Sequence, residues 1–334
     1  MSEQKFRLAV IGAGIFAEAN IYPSLSTHFF DDVERVAVCD LKPERAQRLA
    51  KNYGWPATYT DFRKMLTQEN PDGVVIVLGA PDHPQVACQV LEMGFPVFLE
   101  KPSSMYPDGT LQILKAAEKA GKPVQVGHQK RHGLAYNRAR QFVRDRDNFG
   151  NIVQIESKMH GFTVFPTFYT CMLEWQCHNL DLVISFGGPI VEIEAKSFRN
   201  TAKTGALTAM LRFESGALGT LGWGTYGGPG QFSERIEVLG DRGKGVIVRN
   251  AREVTLYDPQ VGQMWTNDWN PISPNQSHVF NGYVGELRHF VDCIRLGKPP
   301  VPSIQDEART MGYLAEIAQK ADIPIEWAFV SSGL

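Results

Sequence analysis

In the stretch VIGAGIFAEA, Gly12-x-Gly14-x-x-Ala17 stands between an apolar run and a helical pattern. The first glycine permits a tight turn, the second lets backbone approach a pyrophosphate, and the small third residue lets helix pack on strand. Around them Ala13, Ile15 and Phe16 open the helix, whose N-terminus offers amides and a positive dipole end to phosphates. Asp40 ends the next apolar run, at the spacing of an acid that accepts hydrogen bonds from adenosine ribose hydroxyls. The same carboxylate can instead cap the helix that begins near Pro43, and Lys42 and Arg45 can pair with a 2′-phosphate or form a solvated helix face. In PVFLEKPSS a buried-strand pattern ends at Glu100-Lys101-Pro102. A charged pair is thereby delivered to the carboxyl edge of a strand, the side on which open α/β sheets bind ligands. Pro102 also makes a cis peptide possible at the strand exit.

The elements that must hold these residues follow from periodicity. RLAVIGAG, VERVAVCD, GVVIVLG, PVFLEK and PVQVGH read as strands, and residues 15 to 28, KPERAQRLAKNYG, HPQVACQVLEMG and DGTLQILKAAEKAGK as helices between them. Alternation of this kind predicts right-handed crossovers and a parallel sheet covered on both faces. After about residue 150 NIVQIESKMHG, VEIEAKSFRN, GALTAMLRFES, ALGTLGWGTYG, SERIEVLGD, GKGVIVRN and REVTLYD are consecutive strand candidates, interrupted by one convincing helix, CMLEWQCHNLDLVISFG. Two amphipathic helices, 282 to 296 and 304 to 320, close the chain. The expected fold is α/β: a doubly wound Rossmann domain over 1–125, then an α+β domain over 126–334 with a large, mostly antiparallel, open-faced sheet. One face of that sheet needs covering by helices or by another subunit. Residues 259–281, with Trp265 and Trp269, form a long loop of the kind that serves function or subunit contact.

Bulk properties exclude several classes. With 334 residues, 43% hydrophobic and 21% charged, the chain reads as an ordinary globular protein of about two domains. A net charge of −2 without a basic stripe argues against a nucleic-acid partner. MSEQKFRLAVI runs almost directly into a strand, leaving no room for a signal peptide, and no window is long and apolar enough for a transmembrane helix. Five cysteines without CxxC spacing predict neither a disulfide framework nor a zinc site, and make a reducing cytoplasm the expected location. Asn275-Gln276-Ser277 matches a glycosylation acceptor but has no export signal to go with it.

Taken in order, the GxGxxA turn, the acid after the second strand, APDHPQVACQVLEMGFPVFLEKP, E-x-x-x-H-x-x-D on a helix and the closing YVGELRHFVDCIRLGKPPVPS resemble the Gfo/Idh/MocA family of oxidoreductases. The resemblance covers essentially the whole chain. It implies NAD as cofactor, with NADP less favoured because of Asp40, and a sugar, polyol or cyclitol as substrate. The family's lysine, which contacts the reacting hydroxyl beside the nicotinamide, corresponds to Lys101. Oxidising a secondary alcohol sends a hydride from carbon and a proton from oxygen, so the reaction needs both a group that favours alkoxide character and a base. Lys101 suits the first task as donor or relay. The family's second signature, usually D-x-x-x-H, reads here Glu174-Trp175-Gln176-Cys177-His178, with Asp181 following. Spacing of i, i+4 and i+7 predicts that Glu174, His178 and Asp181 share a helical face, with His178 as general base. Glu in place of Asp adds a methylene and alters which hydroxyl the carboxylate grips.

Other residues come with the resemblance. His83 in APDHP is expected at the cofactor together with Glu100 and Lys101, while Gln129 and Arg131 in VGHQKRHG are expected at nicotinamide or substrate. Phe162, Phe165, Phe168, Tyr169 and Trp175 either wall a sugar site or fill the core. A carboxylate and histidine four apart also suit a metal, but no third ligand accompanies them and none is expected. The expected protein is a cytoplasmic NAD-dependent dehydrogenase, assembled as a homodimer or homotetramer through its open sheet face. Two alternatives remain open: a glycosidase that uses NAD for transient oxidation and elimination, and a non-catalytic nucleotide-sensing regulator, against which the presence of both Lys101 and His178 argues.

Overall fold

The computed structural model describes residues 4–29, 31–161, 165–225, 232–258, 263–266 and 276–326. They divide into two compact units, within Met1–Gln129 plus Asn270–Arg309 and within Lys130–Trp269 plus Thr310–Leu334.

The first unit is built on β1 (Phe6–Ile11), β2 (Val33–Cys39), β3 (Ala57–Tyr59), β4 (Gly73–Ile76), β5 (Val97–Glu100) and β6 (Val124–Gly127). All pair in parallel, in the order β3-β2-β1-β4-β5-β6. The helices Pro43–Tyr53 and Pro107–Ala120 begin on proline and end on Gly54 and Gly121 in the left-handed region. Strand order reverses between β1 and β4, so the crevice beyond their carboxyl ends is where a ligand of this sheet belongs. The short β3 and the helix Phe62–Glu69 were not anticipated, because a strand of three residues is too short to carry a readable alternation.

In the second unit β7 (Ile152–His160), β8 (Ile190–Arg199), β9 (Gly205–Phe213), β10 (Leu218–Gly224), β11 (Ser233–Gly240), β12 (Gly245–Arg249), β13 (Glu253–Tyr257) and β14 (Gln263–Thr266) form one sheet, ordered β14-β13-β12-β11-β7-β10-β9-β8. Every pairing is antiparallel except β7 with β10. In β9 Leu207, Ala209, Leu211 and Phe213 face a core shared with the helices Leu134–Arg144 and Cys177–Gly187. The opposite face leaves Val191, Phe198, Met210 and Leu218 exposed. It is the open face that the alternating pattern implied.

The expected domain limits of 1–125 and 126–334 need correcting for the closing helix Tyr283–Arg295, which belongs to the first unit. Phe290 packs edge-on against Phe6 at 6.5 Å and Phe98 at 6.0 Å. Gly73 makes the room, since a β-carbon there would lie 2.9 Å from the Phe290 ring. Within the expected long loop β14 extends the sheet, Gln276–Asn281 is helical, and Trp265 lies 5.4 Å beneath the Arg138 guanidinium. Trp269 and Asn275 lie outside the described residues. No helix among the described residues is long and apolar enough to cross a membrane.

Candidate active site

Gly12 has φ +107°, and a β-carbon on it would lie 2.0 Å from the Val77 carbonyl oxygen. Only glycine fits where the exit of β1 presses on the exit of β4. Its N–H donates to the Cys39 carbonyl at 2.8 Å, which fixes the turn to the end of β2 as well. Nothing lies within 4 Å of where a Gly14 β-carbon would stand, so the second glycine turns toward open space. Asp40 Oδ2 accepts from the Ala13 N–H at 2.8 Å, and Oδ1 accepts from the Lys42 N–H at 2.9 Å. The acid thus braces the glycine turn and holds the Lys42 N–H just ahead of Pro43–Tyr53. Each carboxylate oxygen has a second lone pair available for a ribose hydroxyl. Ile15 is 72%, Phe16 38% and Leu41 89% exposed. Leu41 escaped the sequence reading, although a leucine beside Asp40 at a helix start, off any core stripe, was a usable signal. Backbone amides, open space and apolar flanks fit a dinucleotide.

Glu100 ends the fully buried β5 and stands in register with Gly127 of β6. A β-carbon on Gly127 would lie 3.1 Å from the Glu100 carboxyl carbon, so this glycine makes space for the acid. The Lys101 N–H donates to Glu100 Oε2 at 3.1 Å, the Lys101–Pro102 peptide is cis, and the Lys101 side chain is half-buried. His83 does not turn toward a cofactor as expected. Its ring is fully buried, Nε2 accepts from the Leu78 N–H at 3.1 Å, and Nδ1 donates to the Pro102 carbonyl at 2.9 Å. Burial pushes its pKa down to about 4, so the ring is neutral and works as a clasp between the exits of β4 and β5. A second clasp was not legible in the sequence. Buried Glu307 accepts from the Ser103 N–H at 3.3 Å and pairs with His128 Nε2 at 2.7 Å, across more than half the chain.

In the second unit Glu174 lies within a π-helical turn, Met172–Gln176, that interrupts the helix between Phe168–Cys171 and Cys177–Gly187. Such a turn bonds i to i+5, so the simple i, i+4 alignment of Glu174 with His178 does not describe it. Glu174 is half-buried and His178 buried. Asp181 is 1% exposed, and both of its oxygens accept from Arg131, at 2.8 Å from Nε and 2.7 Å from an Nη. Arg131 and Asp181, expected as substrate ligands, are therefore committed to one another, and tie the turn Gln129–His132 to the helix of His178. Gln129 opens that turn half-exposed. Lys130, which the sequence reading passed over, contacts Glu234, whose carboxyl burial pushes up to about 8. Phe168 and Tyr169 are core residues, Phe168 packing on Trp223 at 4.6 Å, and Phe165 is partly buried against the same core. Trp175 is half-buried and meets Phe232 at 5.4 Å; Phe162 lies outside the described residues. Among the described residues no group of three or more His, Cys, Asp or Glu is arranged to hold a metal ion.

Known proteins resemble this chain in sequence and fold. Residues 6–128 match the oxidoreductase family with an NAD-binding Rossmann fold, and residues 136–246 match the Gfo/Idh/MocA C-terminal domain. Myo-inositol 2-dehydrogenase of Thermotoga maritima is 22% identical over 96% of this chain and 98% of its own. Inositol 2-dehydrogenase of Acidothermus cellulolyticus is 26% identical over 96% and 92%. A crystal structure of a dehydrogenase from Chromobacterium violaceum superposes with a TM-score of 0.87 at 21% identity, covering 96% of each chain. With both parts of the chain matched and its glycine turn, acid and Glu-Lys-Pro strand end in order, the protein belongs to the Gfo/Idh/MocA family of NAD-binding oxidoreductases.

Proposed function

We propose that this oxidoreductase is a dehydrogenase that moves a hydride between a secondary hydroxyl of a sugar, polyol or cyclitol and NAD. The observation that carries the reading is Lys101 at the carboxyl end of β5, beside the strand that flanks the sheet's reversal point. Bound NAD supplies the hydride acceptor. Lys101 donates to the substrate oxygen and favours its alkoxide character as the hydride leaves carbon. His178 receives the hydroxyl proton, and Glu174 grips a neighbouring hydroxyl. Arg131 and Asp181 act by positioning the His178 helix. Glu100, Gln129 and the Gly12–Phe16 turn serve the cofactor side, and His83 serves it only by holding the strand exits. The inositol dehydrogenases among the relatives support a cyclic polyol as the first compound to try.

In this reading the enzyme works in the cytoplasm, where its five cysteines stay reduced, as a homodimer or homotetramer joined through the face bearing Phe198 and Met210. The test is a panel of sugars, cyclitols and glycosides scored for NADH formation and for glycosidic cleavage in the same wells. NADH released stoichiometrically with a ketone product supports the dehydrogenase. Cleavage without net NADH would assign the transient-oxidation glycosidase instead, and NAD binding with neither product would assign a sensor.

A further inference from the structure

The first unit holds a second buried carboxyl group close to Lys101. Glu286 stands in the first turn of Tyr283–Arg295, is fully buried, and has no hydrogen-bond partner for either carboxyl oxygen among the described residues. Its backbone is fixed on both sides: the N–H donates to the Gly282 carbonyl at 2.8 Å, and the carbonyl accepts from Gln125 Nε2 of β6 at 2.8 Å. Gln125 lies on the strand that carries Gly127, the glycine in register with Glu100. The charged groups acting on Glu286 are Glu100 and Lys101, and both also act on half-buried Tyr283, whose ring packs edge-on against Phe16 of the glycine turn at 6.0 Å. Buried Glu286 and Glu100 thus form one cluster with half-buried Lys101 and Tyr283 next to the glycine turn.

We propose that Glu286 is a positioning residue for Lys101, held as a neutral carboxylic acid so that Glu100 alone of the two carboxyl groups balances the ammonium. The proposal rests on Lys101 being the substrate-facing group assigned above. A buried carboxylate with no donor to satisfy it is too costly to keep, and the group takes up a proton instead. Burial first, and the negative Glu100 second, hold Glu286 protonated, while Lys101 pulls the other way. Tyr283 stays a neutral phenol, pushed up by burial first and by the negative Glu100. With Glu286 neutral the cluster has no net charge, and Glu286 does not compete with a substrate oxygen for the Lys101 ammonium. An ionised Glu286 would draw the ammonium into the protein and away from that oxygen.

Infrared titration of the full-length protein tests this without reference to turnover. The wild type should show a carboxylic C=O band at neutral pH that Glu286→Gln removes. Lys101→Met should move the titration of that band to higher pH by about one unit or more, and Glu100→Gln should move it to lower pH, as expected for one neighbouring charge of each sign. In the kcat/KM profile, Glu286→Gln should carry the alkaline limb upward by about one pH unit or more, a shift that lost packing alone would not cause. No such band at neutral pH, or a band that neither Lys101→Met nor Glu100→Gln moves, overturns the proposal. The latter two variants decide the matter even where Glu286→Gln does not fold. If the band shifts as stated but Lys101→Met turns over substrate normally, the cluster stands and the catalytic assignment of Lys101 falls.

Discussion

The carboxylate of Asp40 accepts the backbone N–H of Ala13 at 2.8 Å, so the acid expected at the ribose is also what holds the glycine turn in shape. A 2′-phosphate brought to the same place would meet a like charge. Charged hydrogen bonds contribute about 1.5 to 3 kcal/mol and a tenfold preference needs only about 1.4 kcal/mol. NAD should therefore be favoured over NADP by at least about tenfold in kcat/KM. Asp40→Ser should narrow that ratio, mainly through KM, and should weaken NAD as well, because one hydroxyl cannot bridge the Ala13 and Lys42 amides. Kinetics with both cofactors at saturating substrate check it. A wild type that prefers NADP would show the exposed Lys42 and its neighbour Arg45 outweighing the acid.

Lys101→Met should leave the NAD dissociation constant nearly intact while lowering turnover by at least about a hundredfold, a loss of about 2.7 kcal/mol in transition-state stabilisation. Methionine keeps the apolar stem of the lysine and removes its ammonium. Fluorescence titration with NAD beside steady-state rates separates the two effects, and near-normal turnover on the true substrate would remove Lys101 from the mechanism.

His178→Ala should abolish the acidic limb of the pH-rate profile that a base produces, with NAD affinity changed only a few-fold. Glu174→Asp should alter preference among sugar epimers more than total activity, since a shorter carboxyl group in the π-helical turn reaches a different hydroxyl. If both variants weaken NAD and spare sugar selection, these residues do not serve the substrate.

The Arg131–Asp181 pair yields a stability prediction. Both side chains are largely buried and bonded through two N–H groups, so truncating one partner strands the other charge at a cost of about 3 to 5 kcal/mol. Asp181→Ala should therefore destabilise severely, and the double variant Arg131→Met with Asp181→Leu should recover much of the loss. Urea denaturation of the two singles and the double forms the required cycle. Near-additive effects would show that the residues act separately, as substrate ligands would.

His83 makes part of the stability pH-dependent, and the sign follows from its lowered pKa. The folded ring resists protonation until about pH 4, whereas the unfolded chain takes up the proton near 6.5. Stability is thus highest above the unfolded value and falls as pH drops from 6.5 toward 4, by about 3 kcal/mol at most. His28 and His289 are also lowered by burial and add losses of the same sign. His83→Asn, which can still donate to the Pro102 carbonyl, should flatten the dependence. Urea midpoints at pH 7.5 and pH 5 for wild type and variant read the difference, and equal slopes would show that His83 carries none of it.

Much of this protein was decided locally. A glycine turn between a strand pattern and a helix pattern, prolines at helix starts, and alternation along β9 depend on neighbours within a few residues, so they are legible without a structure. The doubly wound sheet, the open-faced sheet, Asp40 and the position of Lys101 all came from such signals, joined by the order of motifs. What tertiary structure decided is which groups meet across long stretches of chain. An apolar helix face shows that Leu287 and Phe290 will be buried but not against which core, and the structure buries them with Phe6 and Phe98. Polar residues carry still less information. Arg131 and Asp181, fifty positions apart, looked like ligands until their separation collapsed to hydrogen-bonding distance, and His83 looked like a cofactor contact until both ring nitrogens were engaged. A side chain's charge is written in the sequence, but its partner is fixed only by the fold, because a buried polar group bonds to whatever donor or acceptor the packing brings within about 3 Å.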